Sequence, residues 1–138
     1  METDVIQFKQ FVIVPKKPRM SAGKIASQVA HATFMALEKQ KAIINNIAKQ
    51  EKCVSEHVAE NYIEDWKDTG MCVIVLECDD TLQLMGISKY CEEWNIPHHM
   101  YIDEGLTEIR MGTPTALATG VLPLDKHWMF NKLKLFKG

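Results

Sequence analysis

No run of about eighteen apolar residues occurs in this 138-residue chain, which excludes a membrane-spanning helix on length alone. The opening residues Met1-Glu2-Thr3-Asp4 lack the basic stretch and apolar core of a secretion signal, so a cytoplasmic protein is expected. Cysteine is scarce. Cys53, Cys72, Cys78 and Cys91 make no CxxC pair and no Cys/His spacing of the zinc kind, and they read as reduced core thiols. Neither sign of charge is in excess: at a net charge of -2 there is no whole-molecule attraction to a polyanion, so any such contact must come from a local patch. Lys16, Lys17, Arg19 and Lys24 form one basic cluster, and Lys126, Lys132, Lys134 and Lys137 another. Catalytic signatures are missing as well. There is no GxSxG elbow and no HExxH, and Ala22-Gly23-Lys24 lacks the upstream glycine and the following Ser or Thr of a phosphate-binding loop. His98 and His99 are adjacent on a predicted strand and point to opposite faces, so no metal and no cofactor are expected.

What is present is ordinary globular material, 46% hydrophobic and 25% charged. A chain of this length fits one domain over residues 1–138 and buries roughly 68–70% of its unfolded surface, enough for a core without staples. Phe8 to Val14 is apolar and β-branched, a predicted strand that the prolines of Pro15-Lys16-Lys17-Pro18 convert into a basic loop. From Ala22 a helix is predicted. Ile25, Val29, Ala32 and Ala36 form one apolar row and Ala26, Ala30 and Leu37 an adjacent one, leaving Lys24, Gln28 and His31 on the other face, toward solvent or a cleft. The pattern does not say whether this helix continues or breaks near Asn45-Asn46.

Val58 to Lys67 predicts a further helix closed by Gly70, and the nearly continuous apolar run Met71 to Glu77 predicts a central strand covered on both faces. Asp79-Asp80-Thr81 supplies caps for a helix with Leu84, Ile87, Cys91 and Trp94 as its core stripe, stopping at Asn95 before Pro97. His98 to Ile102, Thr115 to Val121 and Lys132 to Phe136 predict three more strands, the last at an edge. The order predicts an α/β fold: a single-domain mixed β-sheet of four to five strands with helices packed on its faces, the early strands parallel. Leu122, Leu124, Trp128, Met129 and Phe130 remain as either a core corner or an interface.

One residue breaks a local rule. Ser21 is a good N-cap, and counting from it puts Lys24 in the first helical turn, against the positive end of the dipole where Asp or Glu is favoured. Polar residues also gather at two other element ends: Asp103 and Thr107 after the third strand, and Thr113-Pro114-Thr115 entering the fourth. Ligands in open α/β sheets collect beyond the carboxyl ends of strands, where Asp103 falls, so the lysine and the aspartate can converge if their strands are parallel neighbours.

The segments Gly23-Lys24-Ile25-Ala26-Ser27-Gln28-Val29-Ala30-His31-Ala32, Cys72-Val73-Ile74-Val75-Leu76, Asp103-Glu104-Gly105-Leu106-Thr107-Glu108 and Gly112-Thr113-Pro114-Thr115-Ala116-Leu117-Ala118-Thr119-Gly120 together resemble the type 2 peptidyl-tRNA hydrolases, the archaeal and eukaryotic kind. The resemblance runs from about Phe11 to Phe136, with an insertion between Lys39 and Asn61. It implies a metal-independent esterase that cuts the bond between a stalled peptide and the tRNA 3′ ribose, on a compact mixed sheet that usually dimerises. Carried over residue by residue, it implies a catalytic set of Lys24, Asp103 and Thr115. The family's other site threonine falls on Thr107, and Gln28 and His31 match helix residues near that site. All three, with Thr113, are expected to bind substrate, while the basic Lys16, Lys17 and Arg19 are expected to contact the nucleic acid.

Side-chain chemistry is compatible with this. Ester cleavage develops an oxyanion, which a lysine ammonium or a helix N-terminus stabilises, while a carboxylate holds the ammonium and threonine hydroxyls position water or ribose. The chain departs from the family where Pro15-Lys16-Lys17-Pro18-Arg19 replaces an Arg-Thr-Asp-Leu-like loop, where Leu106 and Glu108 stand for the usual Arg and Gln, and where Glu104 and Val121 stand for a small residue and a proline. The alternative reading is a non-catalytic relative that binds RNA or a protein partner through the same face.

Overall fold

The computed structural model describes residues 5–51 and 62–138. Four strands, β1 (Phe8–Lys17), β2 (Val73–Asp80), β3 (His98–Ile102) and β4 (Pro114–Pro123), form one mixed sheet in the order β2-β1-β4-β3. β1 and β2 run parallel, and β4 lies antiparallel to both β1 and β3. The carboxyl ends of β1, β2 and β3 and the amino end of β4 therefore share one rim.

Alternation along the inner strands builds two cores. Phe11 and Ile13 of β1 and Leu117 of β4 face helix α3 (Thr81–Glu93), which returns Leu84, Ile87 and Cys91. Val12, Ala116 and Ala118 face helix α1 (Ala22–Glu51), which returns Ala32 and Ala36. Small side chains on both surfaces bring α1 close to the sheet, and two buried glutamines fasten it. Gln10 donates to the Thr33 and Thr119 carbonyls at 3.1 and 2.9 Å. Gln40 donates to the Val121 carbonyl at 3.0 Å and accepts the Val121 N–H at 2.8 Å, completing β4 beyond the end of β3.

Several expectations are corrected. β1 runs through Pro15 to Lys17. Gln10 donates to β2 and Phe11 toward β4, so by alternation the Pro15 nitrogen faces the β4 side, beyond the last β1–β4 pair at Ile13, and no ladder bond is lost. β2 is the outermost strand on its side, not central. Its apolar run reports cover on both faces, with Leu76 in the α3 core and Val75 packed on Val14, Met20 and Ile109 of the opposite one, and carries no information on lateral neighbours. Its outer edge is met by the C-terminal tail through a single bridge, Leu76 with Leu135, where an edge strand over Lys132 to Phe136 was expected. Ala26 and Ala30 are exposed and Gln28 is buried, so the helix faces the sheet through the Gln28 side of its stripe. Trp94 is exposed, because the chain leaves α3 before it.

α1 continues through Asn45-Asn46. Residues 62–68 form α2, closed by Gly70 at φ +102 with the Met71 N–H on the Trp66 carbonyl; the rest of the Val58 to Lys67 prediction lies outside the described residues, as do Cys53 and much of the insertion. Asp80 caps α3 by accepting the Gln83 N–H at 2.9 Å. Cys78 and Cys91 are buried thiols, and burial pushes them up to about 11 and about 12, whereas Cys72, just before β2, is only half-buried and not a core residue. Of the leftover apolar residues, Leu122 and Phe130 belong to the core and Met129 packs against it, while Leu124 and Trp128 are exposed. Among the described residues no helix is long and apolar enough to cross a membrane.

Candidate active site

The site lies at the rim where α1 begins. Ser21 caps the helix, its Oγ accepting the Lys24 N–H at 3.3 Å and its carbonyl the Ile25 N–H at 2.9 Å. Lys24, one turn in, does not extend into solvent. Its Nζ lies 2.6 Å from Asp103 Oδ1 and donates to Thr107 Oγ1 at 2.5 Å, and the Lys24 and Asp103 side chains retain only 9% and 3% of their exposure. The partnership offsets the unfavourable place of a cation at a helix N-terminus.

Asp103 is itself held on every side. Its N–H donates to the Thr113 carbonyl at 2.9 Å, its carbonyl accepts the Gly112 N–H at 2.8 Å, and its Oδ2 accepts the Gly105 N–H at 2.8 Å. Gly105 has φ +77, and a Cβ there would sit 2.7 Å from the Met111 Cβ, so glycine is required twice over. The hydrogen bond from Lys24 outweighs burial and holds the Asp103 carboxyl below its ordinary range, keeping it charged. Thr107 is exposed. Because its oxygen accepts from Lys24, its hydroxyl hydrogen is free to point outward.

Thr115 and Gln28 form a second layer. Thr115 is fully buried and donates its hydroxyl to Gln28 Oε1, and the equally buried Gln28 turns its amide nitrogen to Ser27 Oγ at 3.3 Å. Neither presents a free polar group to solvent. Thr113 contributes its carbonyl to Asp103. His31 is exposed and lies two turns along α1 from Lys24, about 10 Å by helical rise, with its ring 4.8 Å from that of Tyr101.

The basic cluster is divided. Lys16 points to Glu77 at 3.5 Å and Asp79 at 3.9 Å, whereas Lys17 and Arg19 are exposed and make no ion pair among the described residues. All three line a cavity of about 340 Å³ that also takes in Met20, Ile25 and Phe136, so the end of the C-terminal tail joins this group. Lys132 instead lies over the Trp128 ring, 5.1 Å from its centroid.

Glu108 is the residue that reading the sequence did not connect to the helix. Its carboxylate accepts the Ser21 N–H at 2.9 Å and the Ser21 hydroxyl at 2.6 Å across 87 positions. A signal existed. In a capping box the N-cap serine is followed three residues on by Glu or Gln, which accepts the cap's own N–H, and here that position is Lys24.

Comparison with known proteins places the chain in a family. The family model described as Peptidyl-tRNA hydrolase PTH2 matches residues 8–136. The chain belongs to this family. Among its relatives, the peptidyl-tRNA hydrolase of Pyrobaculum aerophilum is 34% identical over 122 residues, covering 86% of this chain and 89% of that protein. Those of Thermococcus onnurineus and Methanopyrus kandleri are 32% identical over 120 residues and 31% over 113, covering 86% and 82% of this chain and 88% and 84% of those proteins. The family match begins with β1 and ends on Phe136 of the tail, so the PTH2 region contains every element that meets at the rim.

Proposed function

We propose that this chain hydrolyses the ester bond between peptide and tRNA in peptidyl-tRNA, recycling tRNA from stalled or aborted translation, as one domain working in the cytoplasm. The observation that carries this reading is the Lys24 ammonium, held 2.6 Å from the Asp103 carboxylate beside the first turn of α1, in a chain of the peptidyl-tRNA hydrolase family. Water adds to the ester carbonyl, the bond to the ribose 3′ oxygen breaks, and that oxygen leaves with a proton while the peptide keeps the new carboxyl group. Negative charge develops on the carbonyl oxygen, where Lys24 opposes it in a place largely withdrawn from water. Open space in front of Gly23 lets a substrate approach the same helical turn.

Asp103 acts as the holder of Lys24 rather than as a base, since both its oxygens are engaged and its carboxyl is held below its ordinary range. The outward hydroxyl of Thr107 suits the attacking water or the ribose. Thr115 keeps Gln28 and the first turns of α1 in place from behind. Lys17 and Arg19 supply phosphate contacts near the loop before α1, with Thr113 beside Asp103 and His31 two turns along α1 completing the substrate surface. Two copies are expected to pair, as the family resemblance implies, and sedimentation showing only monomer at high micromolar concentration would remove that part.

Release of an N-blocked amino acid from charged tRNA tests the reaction. Time-dependent release that Lys24→Ala eliminates supports it. Binding of charged tRNA without release would favour the non-catalytic alternative.

A further inference from the structure

We infer that Glu108 is a positioning residue for the Lys24 centre: by taking the place of the missing acidic residue in the first turn of α1, it fastens the 103–113 loop to Ser21 and so keeps Thr107 and Asp103 on the Lys24 ammonium. The inference rests on the hydrolase reading for its kinetic consequence and on geometry alone for the clamp.

A helix N-terminus leaves its first N–H groups without intrahelical acceptors, and a serine cap with a glutamate three residues on satisfies two of them reciprocally. Half of that arrangement is local here, since Ser21 Oγ accepts the Lys24 N–H. The other half cannot be, because the third position carries the lysine that the site uses. Glu108 supplies it from the loop, accepting both the Ser21 N–H and the Ser21 hydroxyl. The substitution in space frees Lys24 to turn its side chain toward Asp103.

Thr107 is one residue away from this clamp and Ile109 follows it. Ile109 is buried with Val14 and Met20, against Ile25 and Val29 of α1. Two adjacent residues thus pin the loop to α1 and its approach, one by hydrogen bonds and one by packing, while Gly105, Leu106, Arg110 and Met111 around them are exposed. Thr107 meets Lys24 Nζ where the pinned stretch begins. Small losses of registration at a reacting centre are costly, and a displacement of about 1 Å can reduce turnover by about 100-fold.

The test compares Glu108→Ala, Glu108→Gln and wild type in two measurements. With N-blocked aminoacyl-tRNA, Glu108→Ala is expected to lower kcat by about 10-fold or more with KM within about twofold, and Glu108→Gln, whose amide oxygen still accepts the Ser21 N–H, to recover most of the loss. Hydrogen exchange of the folded proteins, well below their unfolding temperatures, is expected to show faster exchange at the Gly105 and Gly112 amides in Glu108→Ala only. Wild-type kcat in Glu108→Ala, or a loss of kcat that glutamine does not restore, would overturn the positioning role. Unchanged exchange at both glycines would overturn the clamp itself. If wild type released no amino acid from tRNA, the hydrolase reading would fail, and the exchange measurement would still decide whether Glu108 holds the loop.

Discussion

Lys24 Nζ and Asp103 Oδ1 lie 2.6 Å apart with both side chains almost fully withdrawn from solvent. Ion pairs of this kind contribute less to net stability than their geometry suggests, because both charges have been desolvated, yet removing one partner strands the other. Lys24→Ala is therefore expected to act twice. Hydrolysis of N-blocked aminoacyl-tRNA should fall by about 100- to 1,000-fold in kcat, with binding of charged tRNA little changed, since the stabilisation appears as charge develops. Denaturant unfolding should show a loss of about 3 kcal/mol from the unpaired Asp103. A wild-type cleavage rate would remove Lys24 from the chemistry.

Affinity for tRNA should fall steeply with salt, because each phosphate contact releases counterions and contributes a slope of about 0.7 to 0.9 in log K against log salt. Lys17 and Arg19 are free of acidic partners among the described residues, whereas Lys16 is shared between Glu77 and Asp79. Alanine at Lys17 and Arg19 should flatten the slope by about two such steps, and alanine at Lys16 by less. Equal effects from all three would show that the ion pairs of Lys16 give way on binding.

Acid should destabilise the fold in two stages. His127 donates from Nε2 to the Leu122 carbonyl at 2.7 Å, and its Nδ1 is buried without a partner, so protonation would place an unmatched N–H beside Phe11. Burial lowers His127 and His99 below their ordinary 6.5. The unfolded chain then takes up protons first, so stability is complete above about pH 6.5 and declines as pH falls toward the lower folded values. Asp103 adds a second decline below its ordinary 3.8, as pH falls through its depressed folded value and the Lys24 bond is lost. Unfolding curves from pH 8 to 5 should be flatter for His127→Gln than for wild type.

Gly120→Ala should be among the more damaging single-methyl changes in the chain. A Cβ at Gly120 would lie 2.5 Å from Gln40 Oε1 and 2.7 Å from its Cδ, and Gln40 cannot retreat without releasing both backbone groups of Val121. The expected cost is about 2 kcal/mol, read as a lowered unfolding midpoint. Gln40→Ala should destabilise comparably, and the double variant by less than the sum of the two, because both act on the same contact.

Local structure was legible from the chain alone wherever its cause is local. Ser21 and Asp80 cap the helices they precede, Gly70 closes a helix, and Leu84, Ile87 and Cys91 face the core at helical spacing. A meeting of Lys24 and Asp103 was expected only if their strands were parallel neighbours; β1 and β3 do run in the same direction, but β4 lies between them, and it was the family motifs that named the residues at this rim. In-plane order of the sheet was not legible. The apolar run of β2 reads the same at an edge as in the middle, because side-chain patterns register what covers each face and hydrogen bonding to neighbouring strands leaves no mark on composition. Gln28 was expected to share the Lys24 face, toward solvent or a cleft, and only the arrival of Thr115 beneath α1 gave that polar side chain a buried partner. The lysine at a helix N-terminus was visible as an anomaly, but its resolution lay 83 and 87 positions away, in the Thr107 bond to Lys24 and the Glu108 bonds to Ser21. Pairings across such separations depend on where the packed sheet delivers a loop, and that is decided by the fold as a whole.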